Sequence, residues 1–302
     1  MRSIRYLQLD VFTSTPFEGN QLAVFPEPGD LSTREMQAIA REMNFSETTF
    51  IYPAEKDGDV RMRIFTPGDE LPIAGHPTIG STFALALEGT ITKGRGDFVF
   101  ELGVGPTPVS LEWDGDALSF AWMTMPLPTF GALLDDRPAL ARAMGIQAGQ
   151  LADGLPAQLV SCGVPYVLVP MASRAAVDAV SIERQAFARC CREAGIDETP
   201  VFFFTTEGGS SVATAYSRMI APAFGIAEDP ATGSASGPLG CYLLHHALVT
   251  REQAREMVSL QGAAMGRPSR IHISIDGEPD HITRVRVGGQ SVLVGGGHIH
   301  VT

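Results

Sequence analysis

The pattern of hydrophobic and polar positions divides the chain into strand-like runs, a few helices and turn-rich loops. Ser32 and Glu35 form a capping box, so a helix is predicted to begin there and to end at Asn44. Its apolar face repeats at helical spacing through Met36, Ile39, Ala40 and Met43. Two further helices are predicted at residues 138–144 and 182–194.

Alternating runs rich in β-branched and aromatic residues predict strands. They lie at residues 4–12, 22–25, 48–52, 60–65, 98–102, 109–113, 118–123, 158–162, 166–169, 201–205, 212–220, 270–275, 282–287, 291–294 and 298–301. The predicted fold class is therefore α+β, with mostly antiparallel sheet.

Two segments without Asp, Glu, Lys or Arg, at residues 78–87 and 236–249, predict helices that are buried on all sides. Each follows a strand that ends in proline and a loop of the form Glu-x-Pro-x-(Ala/Thr)-Gly. This repetition predicts two similar lobes, each with one central helix, whose glycine loops face a shared cleft. The proline-interrupted stretch Met125–Gly131 marks the boundary, giving lobes at 1–124 and 125–302, and the final strand could pair back onto the first lobe.

Composition narrows the function classes. The 302 residues carry a net charge of −12 and no basic cluster, which argues against nucleic acid or an anionic membrane as a partner. The N-terminus lacks the apolar core of a signal peptide, so a cytoplasmic protein is expected. The four cysteines have no metal-binding spacing and are expected to be reduced thiols.

No cofactor or metal is expected. The glycine pairs and triplets near the C-terminus are not followed by a helix, as a dinucleotide fingerprint would be. His298 and His300 share one face of a strand and could bind a metal, although a structural role is the favoured interpretation.

Five motifs together resemble the PhzF-like phenazine-biosynthesis isomerase family. They are GNQLAVF (19–25), NFSETTFI (44–51), FTPGDELPIAGHPTIG (65–80), EDPATGSASGPLGCYL (228–243) and VGGQSVLVGGGHIHV (287–301). The resemblance implies the diaminopimelate epimerase-like fold: two pseudo-symmetric lobes, each a curled, mostly antiparallel sheet or barrel around a central buried helix. It also implies a homodimer.

Epimerases of this fold carry two catalytic cysteines, one in each lobe. The corresponding positions here are identified as Ala74 and Thr232, and no cysteine lies in either motif. A two-thiol racemase needs a thiolate on each face of the substrate carbon, so that chemistry is excluded.

Glu47 is the leading acid/base candidate, because it matches the family's catalytic glutamate. Its neighbours Phe45, Phe50 and Ile51 should also remove water from the carboxyl and raise its pKa toward neutrality. Without the motif, a glutamate ahead of a strand is more often a solvated turn residue.

The other candidates belong to the glycine loops. In the family, the histidine at His76 contacts substrate, and Asp229 would orient His76 or a substrate amine. Asn20 is a weaker substrate contact. The backbone of Gly75 and Gly233 and the side chain of Ser234 would bind a substrate carboxylate; plain turn and helix-cap chemistry is the alternative for all of these.

The expected function is a cofactor-independent isomerase that moves a proton on a small cyclic carboxylate of the trans-2,3-dihydro-3-hydroxyanthranilate type. The alternatives are a related proton-shift or lyase enzyme on another amino-acid-derived acid, or a non-catalytic small-molecule-binding protein. Glu47, His76, Asp229 and Ser234 are expected to line one pocket.

Overall fold

The fold was analysed in a computed structural model that describes residues 1–207, 213–222 and 226–301. Its helices are α1 (Thr33–Met43), α2 (Gly75–Leu87), α3 (Arg137–Ala143), α4 (Arg174–Asp178), α5 (Arg184–Glu193) and α6 (Gly233–His245). Its first nine strands are β1 (Arg2–Val11), β2 (Asn20–Phe25), β3 (Glu47–Pro53), β4 (Val60–Phe65), β5 (Glu70–Leu71), β6 (Asp97–Leu102), β7 (Gly105–Asp114), β8 (Ala117–Met125) and β9 (Thr129–Leu133). The others are β10 (Gln158–Ser161), β11 (Pro165–Pro170), β12 (Val201–Thr205), β13 (Ala215–Ala221), β14 (Ile226–Asp229), β15 (Met257–Gln261), β16 (Ser269–Glu278), β17 (His281–Gly289) and β18 (Ser291–Val301).

Two compact units divide the chain. Unit 1 contains Met1–Thr124 together with the chain from Arg286 onward, and unit 2 contains Met125–Val285. The division at residue 124 coincides with the start of the Pro-interrupted stretch. The predicted second lobe ran to residue 302, whereas the last strand lies in unit 1 because it pairs with β1 from Arg2↔Val301 to Val11↔Ser291.

Unit 1 is built on a mixed sheet. β18, β1 and β2 pair antiparallel, β2 and β3 are parallel, β3 and β4 are antiparallel, and β4 continues in parallel to β6 and then to the antiparallel β7 and β8. Helix α2 packs against β1, β2, β3 and β18. A glycine is needed at Gly80, because a Cβ there would lie 2.5 Å from Leu22 and 2.7 Å from Val11.

Unit 2 repeats this plan. β9, β10 and β11 are antiparallel, β11 and β12 are parallel, β12 and β13 are antiparallel, and β13 continues in parallel to β15 and then to the antiparallel β16. Helix α6 packs against β10, β11 and β16. In unit 2, an apolar cluster joins α3, α4 and α5 to β11 and β12.

The helix predictions are confirmed where the local signal is strong. Ser32 and Glu35 form the capping box of α1, and Asn44 ends it with φ of 53°. Residues 75–85 of α2 are all buried, as are most residues of α6. Helix α6 begins earlier than predicted, at Gly233, and ends at His245, shortly before Ala247 adopts φ of 54°.

The strand predictions missed β5, β9, β14 and β15, and three further points need correction. The strands predicted at 291–294 and 298–301 are one strand, β18, because Gly295, Gly296 and Gly297 pair directly with β1. A Cβ at Gly296 would lie 2.7 Å from the carbonyl oxygen of Tyr6, so the glycines permit this close approach. The sheet is not closed into a barrel, and β3 begins at Glu47 itself rather than after it. Val212, the predicted first residue of one strand, lies outside the described residues.

The cysteines are free thiols. Cys162, Cys191 and Cys241 are buried, and burial raises the pKa of Cys191 to about 11. Within the described ranges, the helices are all too short or too polar to cross a membrane.

Candidate active site

Three predicted site residues of unit 1 lie at the starts of three different elements, and these starts are close together. Asn20 is the first residue of β2, Glu47 the first of β3, and His76 the second of α2. β2 and β3 are parallel, with Leu22 opposite Glu47, so both strands start at the same edge. Nδ1 of His76 lies 3.3 Å from Nδ2 of Asn20 and 3.3 Å from Oε2 of Glu47.

His76 is held as a neutral imidazole. Its side chain is 4% exposed, and burial lowers its pKa to about 3, although a hydrogen bond with the backbone of Gln21 partly opposes that shift. The 3.3 Å contact with Oε2 of Glu47 is therefore not an ion pair. The Glu47 side chain is 14% exposed, which leaves it accessible to a reactant.

A neutral imidazole has one N–H donor and one acceptor nitrogen. Nδ1 of His76 is hydrogen-bonded to Nδ2 of Asn20, an amide N–H donor, so Nδ1 accepts in this contact and the ring proton lies on Nε2. Nε2 is buried and has no hydrogen-bond partner among the described residues. Nε2–H is thus a buried donor that could serve a bound molecule.

Both buried helices begin without a side-chain cap. Ala74 precedes α2 and Thr232 precedes α6, and neither side chain accepts a hydrogen bond from the first turn. The first residues of the helices are Gly75 and Gly233. Their N–H groups belong to the set that an α-helix leaves unpaired at its N-terminus, where an anion is favoured.

In unit 2, Asp229 belongs to a buried hydrogen-bonded network. Oε1 of Gln261 accepts from the backbone N–H of Thr232 at 3.0 Å, so its Nε2 faces Oγ1 of Thr232 at 2.9 Å and the carbonyl of Asp229 at 2.7 Å. The hydroxyl of Thr232 then donates to Oδ2 of Asp229 at 2.5 Å. Gln261 thus donates to the hydroxyl of Thr232, which in turn must donate to Asp229. Through these two hydrogen bonds Gln261 orients the carboxylate of Asp229.

Ser234 has an aromatic partner that the sequence did not single out. Oγ of Ser234, the second residue of α6, lies 2.7 Å from the hydroxyl of Tyr166 in β11. Tyr166 is 5% exposed and Gln261 is fully buried. Neither residue belongs to a motif: Tyr166 begins a predicted strand and Gln261 lies outside every predicted element, so only the packed structure joins them to the site.

The registers of the two units identify which residues are equivalent. Arg63 and Arg218 each form a two-bond ion pair, with Glu70 and Glu228 respectively. β3 pairs with the strand of Arg63, and β12 pairs with the strand of Arg218. When the two arginines are treated as equivalent, these registers make Thr48 of β3 equivalent to Val201 of β12. Glu47 is therefore equivalent to Pro200, so unit 2 has no carboxylate at the position of the acid/base candidate.

A groove of about 440 Å³ in unit 1 lies beside β4 and does not include Asn20, Glu47 or His76. Its arginines are paired: Arg61 with Glu55, and Arg63 with Glu70. The groove thus offers little net charge to a carboxylate. In the described part of the chain, no group of three or more His, Cys, Asp or Glu side chains is arranged to hold a metal ion.

The structure therefore brings Asn20, Glu47 and His76 together in unit 1. In unit 2, Asp229, Gly233 and Ser234 lie at the start of α6. That both groups bind one substrate stays a prediction.

Comparison with known proteins gives consistent relatives. The profile of phenazine biosynthesis-like proteins, PhzC-PhzF, matches residues 9–297. Trans-2,3-dihydro-3-hydroxyanthranilate isomerase of Pseudomonas chlororaphis is 37% identical over 294 residues, covering 97% of this chain and 98% of that protein. The enzyme of the same name from Pseudomonas aeruginosa is 36% identical over 298 residues, covering 98% and 99%.

Among solved structures, a Bacillus anthracis phenazine biosynthesis protein of the PhzF family superposes with a TM-score of 0.88 at 25% identity. The match covers 100% of both chains. It extends over both units and includes every candidate site residue.

Proposed function

This chain belongs to the phenazine biosynthesis-like protein family and is an isomerase of that family, and we propose that it moves a proton on a small cyclic carboxylate with Glu47 as the acid/base. The proposed substrate class is that of trans-2,3-dihydro-3-hydroxyanthranilate, the compound named in its relatives. The observation that carries the proposal is the 3.3 Å contact between Oε2 of Glu47 and Nδ1 of a neutral, buried His76.

The reaction needs only proton movement. Glu47, as a carboxylate, takes a proton from one ring carbon, and the electron pair of that C–H bond shifts into the conjugated system. Glu47, now a carboxylic acid, returns the proton to another ring carbon. The product is an isomer of the substrate, so no oxidant, reductant or co-reactant is consumed.

His76 supports the reaction through Nε2. Because Nδ1 accepts from the amide of Asn20, the ring proton lies on Nε2, and Nε2–H can donate a hydrogen bond to the negative charge that develops on the substrate. The imidazole itself never becomes a cation, in agreement with its low pKa.

The two units differ at the position of the proposed acid/base, where only unit 1 has a carboxylate. The residue equivalent to Glu47 in unit 2 is Pro200, which cannot exchange a proton. We therefore assign removal and return of the proton to Glu47, with Asp229 binding a substrate amine and Ser234 with the first N–H groups of α6 binding a carboxylate. Gly75 and Asn20 would contact substrate from unit 1.

Turnover in deuterated water tests the proposal. The wild-type protein incubated with trans-2,3-dihydro-3-hydroxyanthranilate should give an isomerised product carrying deuterium at one carbon, because Glu47 exchanges its proton with solvent between steps. Glu47→Gln should give neither isomerisation nor exchange. Saturable binding without isomerisation or exchange by the wild type would instead identify a binding protein.

A further inference from the structure

Three positions are leucine in unit 1 and buried polar residues in unit 2; two of the leucines are buried and the third is half-buried. With Arg63 aligned on Arg218, the strand registers make Leu22 equivalent to Tyr166, Leu71 to Asp229 and Leu102 to Gln261. The same counting that aligns Glu47 with Pro200 gives all three pairs.

The leucines show what this fold requires at these positions. A buried polar side chain costs free energy unless its hydrogen bonds are made, whereas a buried leucine is favourable. Tyr166 and Asp229 are each 5% exposed, and Gln261 is fully buried. Since an apolar side chain serves the repeated fold in unit 1, the polar residues of unit 2 are explained by a task other than folding.

Their contacts converge on the start of α6. Tyr166 reaches Oγ of Ser234, and Gln261 acts through Thr232 on the carboxylate of Asp229. Gly262 brings the end of β15 close to this turn, because a Cβ there would lie 2.5 Å from the carbonyl oxygen of Pro230. The two residues therefore fix a hydroxyl donor and a carboxylate acceptor at one helix end.

We propose that Tyr166 and Gln261 are positioning residues of this isomerase: Tyr166 orients the hydroxyl of Ser234 toward a substrate carboxylate, and Gln261 orients Asp229 toward a substrate amine. The inference rests on the proposed function, which places Ser234 and Asp229 at the substrate. It goes further by assigning roles to two residues outside every motif.

Tyr166→Phe tests the first role, because it removes one oxygen and keeps the ring. KM for trans-2,3-dihydro-3-hydroxyanthranilate should rise about 10-fold with kcat nearly unchanged, as expected when one binding hydrogen bond is lost. The Kd of anthranilate, measured by calorimetry, should rise by a similar factor; this aromatic carboxylate gives a readout that does not depend on turnover.

A double-mutant cycle shows whether Tyr166 acts through Ser234. Ser234→Ala should raise KM, and adding Tyr166→Phe to it should cause no further loss. If Ser234→Ala weakens binding and Tyr166→Phe does not, or if the two effects add, the inference is wrong while the proposed function stands. If Ser234→Ala leaves both KM and Kd unchanged, the proposed role of Ser234 is itself wrong.

Tyr242→Phe is the matched control. Tyr242 lies in α6, and its hydroxyl donates to the carbonyl of Pro156 at 2.7 Å, away from the helix start. This variant should lower the Tm without changing KM.

Gln261→Glu tests the second role through pH. The new carboxyl still accepts from the N–H of Thr232, but its other oxygen must carry a proton to donate to the hydroxyl of Thr232. Activity relative to wild type should therefore be lowest at pH 8 and rise about 10-fold or more by pH 6. A ratio that is constant across this range would overturn the role of Gln261, because a purely structural defect would not be repaired by protonation.

Discussion

At the scale of single residues, the proposed chemistry depends on His76, whose Nδ1 lies 3.3 Å from both Glu47 and Asn20. Burial keeps the ring neutral, so the proposed mechanism assigns proton exchange to Glu47 and hydrogen bonding to His76. The carboxyl is partly exposed, whereas the imidazole is not. This difference in exposure separates the two roles.

Glu47→Gln should abolish most turnover without unfolding the protein. The amide retains size and hydrogen bonding but cannot carry the transferred proton, so kcat should fall by about 10² to 10⁴ while substrate affinity changes little. Steady-state kinetics and calorimetry measure the two effects.

Glu101→Gln is the comparison for Glu47→Gln. The carboxylate of Glu101 accepts backbone N–H bonds from Glu55, Lys56 and Gly58, and hydrogen bonds from these groups lower its pKa. This variant should lower the Tm and leave kcat nearly unchanged. A Glu47→Gln enzyme with near wild-type kcat would show that the proton travels by another group.

The buried His76 should make stability depend on pH. Its folded pKa of about 3 lies below the ~6.5 of an unfolded histidine, so below pH ~6.5 only the unfolded chain gains a proton there. The free energy of unfolding should therefore fall by about 1.4 kcal/mol per pH unit between roughly pH 6.5 and 3, and be unaffected above pH 7.

Urea unfolding of wild type and His76→Asn measures this contribution. When the pH is lowered from 7.5 to 5.5, wild type should lose about 1.4 kcal/mol more of its free energy of unfolding than His76→Asn does. Parallel pH curves for the two proteins would contradict the neutral, buried state of His76.

At the scale of elements, each site is built where a strand or loop meets the start of a buried helix. Asp229 ends β14, Thr232 precedes α6, and Gln261 ends β15, so the network joins three consecutive elements of unit 2. Its geometry depends on how closely β15 approaches the turn at Pro230.

Gly262→Ala should disturb that approach, and Gly266→Ala serves as its control. Both glycines have positive φ, 74° and 72°, so alanine is strained at either by about 1–2 kcal/mol. Only at Gly262 would the added Cβ meet backbone oxygens, at 2.4 Å from Arg267 and 2.5 Å from Pro230; at Gly266 it meets nothing within 4 Å. Gly262→Ala should therefore lose more stability and also lower kcat/KM. Equal losses of stability and activity in both variants would contradict the importance of this contact.

At the scale of the whole molecule, one structural plan occurs twice, with different polar residues at equivalent positions. Unit 1 has a carboxylate and an imidazole, and unit 2 has a network around a helix N-terminus. The chain forms unit 1 from two separated segments, because β18 pairs along β1.

Removing β18 should unfold unit 1. A chain that stops at Gln290 loses every β1–β18 pair and one strand against which α2 packs, and it exposes the outer edge of β1. Loss of the cooperative thermal transition of unit 1, or aggregation, is expected by circular dichroism and light scattering. Leu293→Ser, at a position that is 44% exposed, should leave the transition in place. A truncated chain that melts like wild type would show that β18 contributes little.

The sequence by itself determined the features with a local signal. The capping box and apolar spacing defined α1, the absence of charge defined the two buried helices, and the repeated loop motif indicated the duplication. It also singled out Glu47, His76 and Asn20, because these residues lie in short, contiguous motifs. Each of these signals spans only a few turns or one loop, so no distant contact is needed to read it.

Only the tertiary structure decided the rest. Glycines 295–297 predicted a break between two strands, yet they continue β18. They do so because β18 pairs with β1, which lies at the opposite end of the sequence. Tyr166 and Gln261 lie 68 and 29 residues from the atoms they contact at Ser234 and Thr232. Strand pairing and side-chain hydrogen bonds over such separations leave no periodic pattern in the sequence. The roles of these residues and the open sheet therefore became visible only in the folded chain, whereas the return of the last strand to the first lobe was already expected.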